Sequence, residues 1–567
     1  MFMKSRRSAL FIGLIICLLS IVVLAGENTP KHSPRTQAGV NISIRPIGPS
    51  QAIIDAAKVL VMQSDAVQRE LTGKKFYLIS FEAIENGSPD PTAFRAIFYD
   101  HTTDRTLVAT ADFAGKQAVT IHEESLQPVP SDEEFDAAIQ ILQTDGNFAP
   151  QLKAGTVKAF RPMPPVTILE GTTDRLINVG IDANGPAGRN EVVSVSIKDG
   201  KVIRYPENAP PISKASPEAC GIPSAGQSTT SSGTAGQYQM SVTQGGSPLW
   251  DMLIVRPSAS SGGSNRSGIE VRDVKYKGKS VLKRGHVPIL DVQYVGGQCG
   301  PYRDWQYQED NFQTPASGNT DPAPGIRIIA PGQIPTTALE SGVDAGNFRG
   351  VAVYTQNKET VLVTEFAAGW YRYVMEWRFG DDGIIRPRFG FGATDNSCVC
   401  FSHNHHVYWR LDFDVVTPNN RVYVVERGRK FLKPIATETF MNKSPQTNRS
   451  ILIQNATSDE AYMLVPSVKD GVVDAFGVHD IWVLAYKGTA VSPTELDDGR
   501  TCCGGPNQNI AIDPWLNNES VDNQDVVIWY GAHFLHSDGA NLVDAKNSPS
   551  ILGTSHVVGP DIRPVRW

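Results

Sequence analysis

The chain has 567 residues, 41% of them hydrophobic, and 59 acidic against 52 basic side chains leave a net charge of -7. It is too long for one core of ordinary size and too apolar for a disordered chain, so about two or three folded domains are predicted. No long basic run or aromatic-basic stripe occurs, which argues against nucleic acid as a partner, and 50 glycines with 38 prolines suit a turn-rich β protein.

Residues 1–26, MFMKSRRSALFIGLIICLLSIVVLAG, begin with basic Lys4, Arg6 and Arg7, run on in apolar residues from Ala9, and end on small Ala25 and Gly26. That is the pattern of a secretory signal, so the protein is expected outside the cytoplasm, periplasmic or extracellular. The apolar run is long for a cleaved signal, which keeps an uncleaved membrane anchor as the alternative. Residues 27–47 read as a polar spacer. Cys17 lies in the signal; the other cysteines are Cys220, Cys299, Cys398, Cys400, Cys502 and Cys503. An oxidising compartment permits disulfides among them, but Cys398 with Cys400 and Cys502 with Cys503 are too close to bridge each other without strain.

Residues 48–125 read as a helix over SQAIIDAAKVLVMQSD followed by three strands. A second round, 126–215, opens on SDEEFDAAIQILQTD, where Ser131 and Glu134 fit a capping box, and continues in strands. These are two small α+β domains in tandem. Residues 216–237, rich in Ser, Thr, Gly and Pro, read as a linker. From 238 to 567 the segments alternate in polarity between Gly, Asp and Asn turns, and the class is mainly β, with a large antiparallel β-sandwich.

Within it, the stretch FSHNHHVYWRLDFDV (401–415) reads as a strand, so His403 and His405 share a face, and Asp412 and Asp414 share one. The segment DVVIWYGAHFLH (525–536) ends on His533 and His536. Two imidazoles on one strand and a third from a distant strand suit Cu(II); a three-histidine zinc site is the competing chemistry.

These residues resemble the copper-containing primary-amine oxidases, which make a quinone cofactor from one of their own tyrosines. The family's His-x-His followed by Arg-Leu-Asp-x-Asp stands here as His403, Asn404, His405, then Arg410, Leu411, Asp412, Phe413 and Asp414. DNQDVVIWYGAHFLH resembles the strand that closes on the family's third copper histidine, and PLWDMLIVRPSASSGGSNRSGIEVRDVKYKGKSVL is similar to the start of its catalytic domain. The resemblance runs from about Tyr238 to Asp538. It implies copper on His403, His405 and His536, with His406 and His533 as bystanders, and a calcium-like cation on Asp412, Asp414 and Asp525.

Tyr371, Tyr373 and Trp377 of AAGWYRYVMEW fall where the family's cofactor motif has its tyrosines and tryptophan, so the resemblance implies topaquinone derived from Tyr371. Tyr294 falls where a tyrosine hydrogen-bonds the cofactor oxygen. The motif's Thr, Asn and acid are Ala367, Trp370 and Arg372 here, and the general-base position carries Gln308. A glutamine cannot accept the proton, which passes the base role to Glu309 or Asp310. The implied activity is oxidation of a small primary amine by dioxygen to aldehyde, ammonia and hydrogen peroxide, in a homodimer. The alternatives are a non-catalytic copper-binding sandwich that has lost quinone formation, and a zinc hydrolase, for which no base next to the histidines is evident.

Overall fold

Alternating apolar residues build two large facing sheets in the computed structural model, which describes residues 35–37, 39–84, 92–113, 118–124, 128, 130–162, 166–168, 174–183, 191–204, 221–223, 236–261, 265–294, 302–394, 399, 403–428, 431–473, 479–487, 512–536 and 557–567. Seven strands matter most: β1 (Val40–Ile47), β2 (Lys279–Tyr294), β3 (Glu359–Ala368), β4 (Tyr371–Gly380), β5 (Ile385–Ala393), β6 (His403–Phe413) and β7 (Val526–His536). Strands β2, β6 and β7 are antiparallel neighbours in a sheet of eleven; β3, β4 and β5 are antiparallel neighbours in a sheet of twelve. The second sheet departs from antiparallel order where Ile326–Ile328 runs parallel to Val351–Gln356.

The gap between the sheets is filled by every second residue. From β6 come Val407, Trp409, Leu411 and Phe413, and from β4 Tyr371, Tyr373, Met375, Trp377 and Phe379, all in one core. On its other face β6 turns Tyr408 into a separate cluster with Trp482 and Trp529. Strand β4 is buried on both faces, so its outward charges are tolerated only as pairs. Arg378 bonds Glu376 at 2.8 Å and Glu359 at 2.7 Å. Ala368 faces Tyr371 across a two-residue turn whose Gly369 has φ of 60°, a conformation glycine adopts without steric penalty.

The region predicted as a spacer differs. Its last part is β1, which pairs along its whole length with the strand Gln237–Gln244 and sends Ile42 and Ile44 into the main core. The alternation Val40, Ile42, Ile44 is a strand pattern, and the polar residues between them hid it. The chain thus passes through the large sheet before building the small domains. Residues 1–34, most of the predicted linker and all the cysteines lie outside the described residues. Among the described residues no helix is long and apolar enough to cross a membrane.

The first small domain packs helices Gln51–Met62 and Asp65–Leu71 on a four-stranded sheet, and the second packs Asp132–Leu142 and Ala149–Ala154 on a five-stranded one. The capping box is present: Ser131 Oγ accepts from Glu134 N at 3.1 Å, and Ser131 N donates to Glu134 Oε2 at 3.3 Å. Glu134 also ties the domains together. Arg175 donates to its two oxygens at 3.0 and 2.8 Å, and His101 Nε2 of the first domain lies 2.7 Å from Oε1.

Glu134→Ala leaves a buried guanidinium without its carboxylate, and urea titration is expected to show a loss of about 3–5 kcal/mol. Burial alone would raise the Glu134 carboxyl, but Arg175 and His101 overcome it and hold it down to about 2. A lowered carboxyl stabilises the fold above its ordinary range, and that contribution disappears as pH falls toward about 2. The difference between wild type and Glu134→Gln should therefore shrink across that acid window.

Candidate metal and tyrosine centre

Residues two apart on a strand share a face, so β6 delivers both His403 and His405 into the gap, where they are fully buried with ring centroids 5.0 Å apart. Strand β7 lies alongside with His536 directly opposite His403 in register. From the facing sheet, the first residue of β4 brings the Tyr371 ring to 4.8 Å from His405 and 5.7 Å from His403. Tyr294, the last residue of β2, also pairs in register with His403, and its ring is 4.8 Å away. The hydroxyls of Tyr294 and Tyr371 are hydrogen-bonded to each other, and Trp370 Nε1 donates to Tyr294 Oη at 3.1 Å. Phe391 of β5 closes the side, 3.7 Å from His405.

Burial, and then the Tyr371 phenol beside it, push the Tyr294 hydroxyl well above its ordinary range, so Tyr294 stays a protonated phenol. Two buried imidazoles in contact on one sheet, with a third histidine position opposite, fit a borderline metal such as copper or zinc rather than an oxygen-seeking one. Tyr373, two residues beyond Tyr371, donates its hydroxyl to Asp304 Oδ2, and the same hydroxyl lies 3.2 Å from His405 Nδ1. Asp304 is the residue that reading the sequence missed. It lies in an irregular segment, and no spacing links it to Tyr373.

The departures from the family motif have physical partners. Arg372 points away from the histidines and is fully buried. It bonds Asp344 at 2.6 and 3.0 Å, Asp310 at 2.7 Å, and the carbonyls of Gly369 and Tyr371 at 3.2 and 3.0 Å. Asp310, Asp344 and Glu365 converge there, and the guanidinium supplies the cation for that cluster. Burial pushes Asp310 and, further, Glu365 above the usual carboxylate range. Glu309 is held by Arg256 Nε at 2.8 Å and by Ser258 N and Oγ at 3.2 and 2.9 Å. Gln308 accepts from Trp305 Nε1 at 3.1 Å. Among the predicted residues, then, the structure gathers His403, His405, Tyr294 and Tyr371, while arginines hold Glu309 and Asp310.

A second centre forms around the end of β6. Asp412, Asp414 and Asp525 each bring a carboxylate oxygen within 4.8 Å of the others. Burial first, and repulsion from the neighbouring carboxylates second, raise Asp414 to about 7 and Asp525 to about 8. A hard divalent cation would relieve that repulsion, and calcium fits an all-oxygen set. His406 and His533 meet on the other face of β6 from His403 and His405, with centroids 5.0 Å apart, and His533 Nε2 pairs with Asp480 at 2.8 Å.

The sequence matches no family model and no curated protein. Solved structures do resemble it. A copper-containing benzylamine oxidase from Hansenula polymorpha superposes with a TM-score of 0.57 at 14% identity, over 92% of this chain and 97% of that one. An amine oxidase from Aspergillus nidulans gives 0.53 at 14% identity, over 91% and 88%. The lysyl oxidase of Pichia pastoris gives 0.53 at 12%, over 95% and 91%. At such identities the likeness establishes the shared β-sandwich fold.

For the acidic centre, calcium added to metal-free protein should raise the melting temperature, and Asp525→Asn should abolish the response, removing about 1–3 kcal/mol of the metal-bound stability. The pH dependence has a definite sign. Without metal, these raised carboxyls hold protons in the folded chain that the unfolded chain releases above about 4, so stability falls as pH rises toward about 8. Calcium should help most at the upper end of that range. A calorimetric scan showing no calcium effect at the alkaline end would contradict the site.

Proposed function

We propose that this chain is an exported copper amine oxidase, with copper held by His403, His405 and His536 and Tyr371 as the precursor of topaquinone. The observation that carries the reading is the Tyr371 ring 4.8 Å from the His405 imidazole across the sheet gap. The likeness of the whole fold to amine oxidases supports it, as does the order of motifs along the chain. When bound, the metal and the quinone would supply the redox chemistry by which dioxygen converts a small primary amine to aldehyde, ammonia and hydrogen peroxide.

The chain's own residues do the positioning. Tyr294 holds the Tyr371 oxygen through the bond between their hydroxyls, and Trp370 fixes Tyr294 in turn. Phe391 and Tyr373 wall the ring on the sandwich side and keep bulk water from it. Of the two carboxylates assigned to proton removal, Glu309 is committed to Arg256 and Ser258. Asp310 is paired with Arg372 on the outward face of β4, so the base role of Glu309 or Asp310 rests on the family resemblance. Residues 1–26 supply the export signal or anchor, Asp412, Asp414 and Asp525 a structural calcium, and the family resemblance the homodimer.

A second reading, a copper-binding sandwich without quinone formation, is favoured by Glu309 and Asp310 both being engaged by arginines. One experiment separates the two. Copper-loaded protein in air should develop a visible quinone band, react with phenylhydrazine and release hydrogen peroxide with a primary amine. Tyr371→Phe should abolish all three, and metal-free protein in air should stay colourless. His536→Ala should lose most of its copper, because two imidazoles alone leave the ion underligated. Wild-type protein with a full complement of copper that remains colourless would leave the second reading standing.

A further inference from the structure

Asp304 has no role in the proposed function, and the Tyr373 hydroxyl has none beyond its ring's part in walling Tyr371, although both residues are fully buried beside the histidines. The short strand Tyr302–Arg303 pairs with Asp291 and Val292 of β2, and Asp304 N donates to Leu290 O at 2.9 Å. That backbone anchoring delivers the Asp304 carboxyl into the core. There it takes the Tyr373 hydroxyl proton in a hydrogen bond. A phenol has one hydrogen to give, and once it is directed at a carboxylate the oxygen can only accept from its other neighbours. The neighbour is His405 Nδ1, at 3.2 Å.

We infer that Asp304 and Tyr373 form a positioning relay that fixes His405 with its proton on Nδ1, leaving Nε2 to bind copper. The inference rests on the copper assignment made above and not on quinone formation. Metal-ligating histidines commonly hand their second nitrogen to a carboxylate or carbonyl, which fixes the tautomer, orients the ring and raises its basicity. Here a phenol stands between the carboxylate and the imidazole. The same strand therefore carries two tyrosines with different tasks. Tyr371 presents its ring to the histidines, and Tyr373 presents its oxygen to one of them. Burial pushes the Asp304 carboxyl well above its ordinary range, and a cation held by His405 would oppose that by favouring the charged carboxylate.

The test is Cu(II) affinity, measured by competition with a chelator, together with the electron paramagnetic resonance spectrum of the bound ion. Tyr373→Phe and Asp304→Ala should each weaken binding by about 10–100-fold and alter the spectrum. Asp304→Asn, whose amide oxygen can still accept from Tyr373, should stay within about threefold of wild type. Because Asp304 acts through Tyr373, the double variant Asp304→Ala/Tyr373→Phe should bind no more weakly than Tyr373→Phe alone. Circular dichroism confirms folding, and Asp304→Ala, which keeps the ring, serves where Tyr373→Phe does not fold. Wild-type affinity in either folded single variant, or additive losses in the double, would overturn the relay while leaving copper in place. Wild-type protein that takes up no copper would defeat the relay and the copper reading together. Colourless wild-type protein that binds copper tightly would sink only the oxidase.

Discussion

The contact of the Tyr371 ring with the His405 imidazole across the gap between two sheets constrains everything around it. Neither strand could place these rings together unless both sheets were fully packed behind them. The strict alternation of β4 and β6 does this: Trp409, Leu411 and Phe413 meet Met375, Trp377 and Phe379 farther along the same gap and fix its width. A slip of one residue in β6 would send both histidines to the outer face and bring His406 and Tyr408 inward. The site is thus a by-product of register, and register is held by the apolar ends of the same strands.

The same alternation sorts the chemistry. The inner face of β6 carries the imidazoles of His403 and His405 beside phenols in a buried gap. Its other face carries Arg410 and Asp412, and it meets Asp414 and Asp525 in an all-oxygen cluster. One strand in this way keeps a nitrogen set and an oxygen set on separate faces, as two metals of opposite preference would require. Strand β4 shows the converse. Its outward Arg372 would be intolerable alone, and its bonds to Asp310 and Asp344 make it tolerable. The basic residue at that place is matched by acidic partners on the outward face, and Tyr371 keeps its inward position in the gap.

Much of this was legible in the sequence. The large sandwich, the capping box at Ser131 and the shared face of His403 and His405 all follow from short-range pattern. The convergence of Asp412, Asp414 and Asp525 and the meeting of Tyr294 with Tyr371 followed from family resemblance, because strand partners distant in sequence leave no local trace. Strand β1 was read as a spacer because its polar half looked like solvent-exposed chain. Asp304 and the engagement of Glu309 by Arg256 were illegible, since each depends on an irregular loop whose path is set by what it packs on.

The most direct test of the central claim is diffraction at the copper absorption edge from copper-soaked crystals. The account predicts one strong anomalous peak between the sheets, in contact with His403, His405 and His536 and adjacent to the Tyr371 ring. A peak on the outer face at His406 and His533, or none between the sheets with copper present in the crystal, would contradict it.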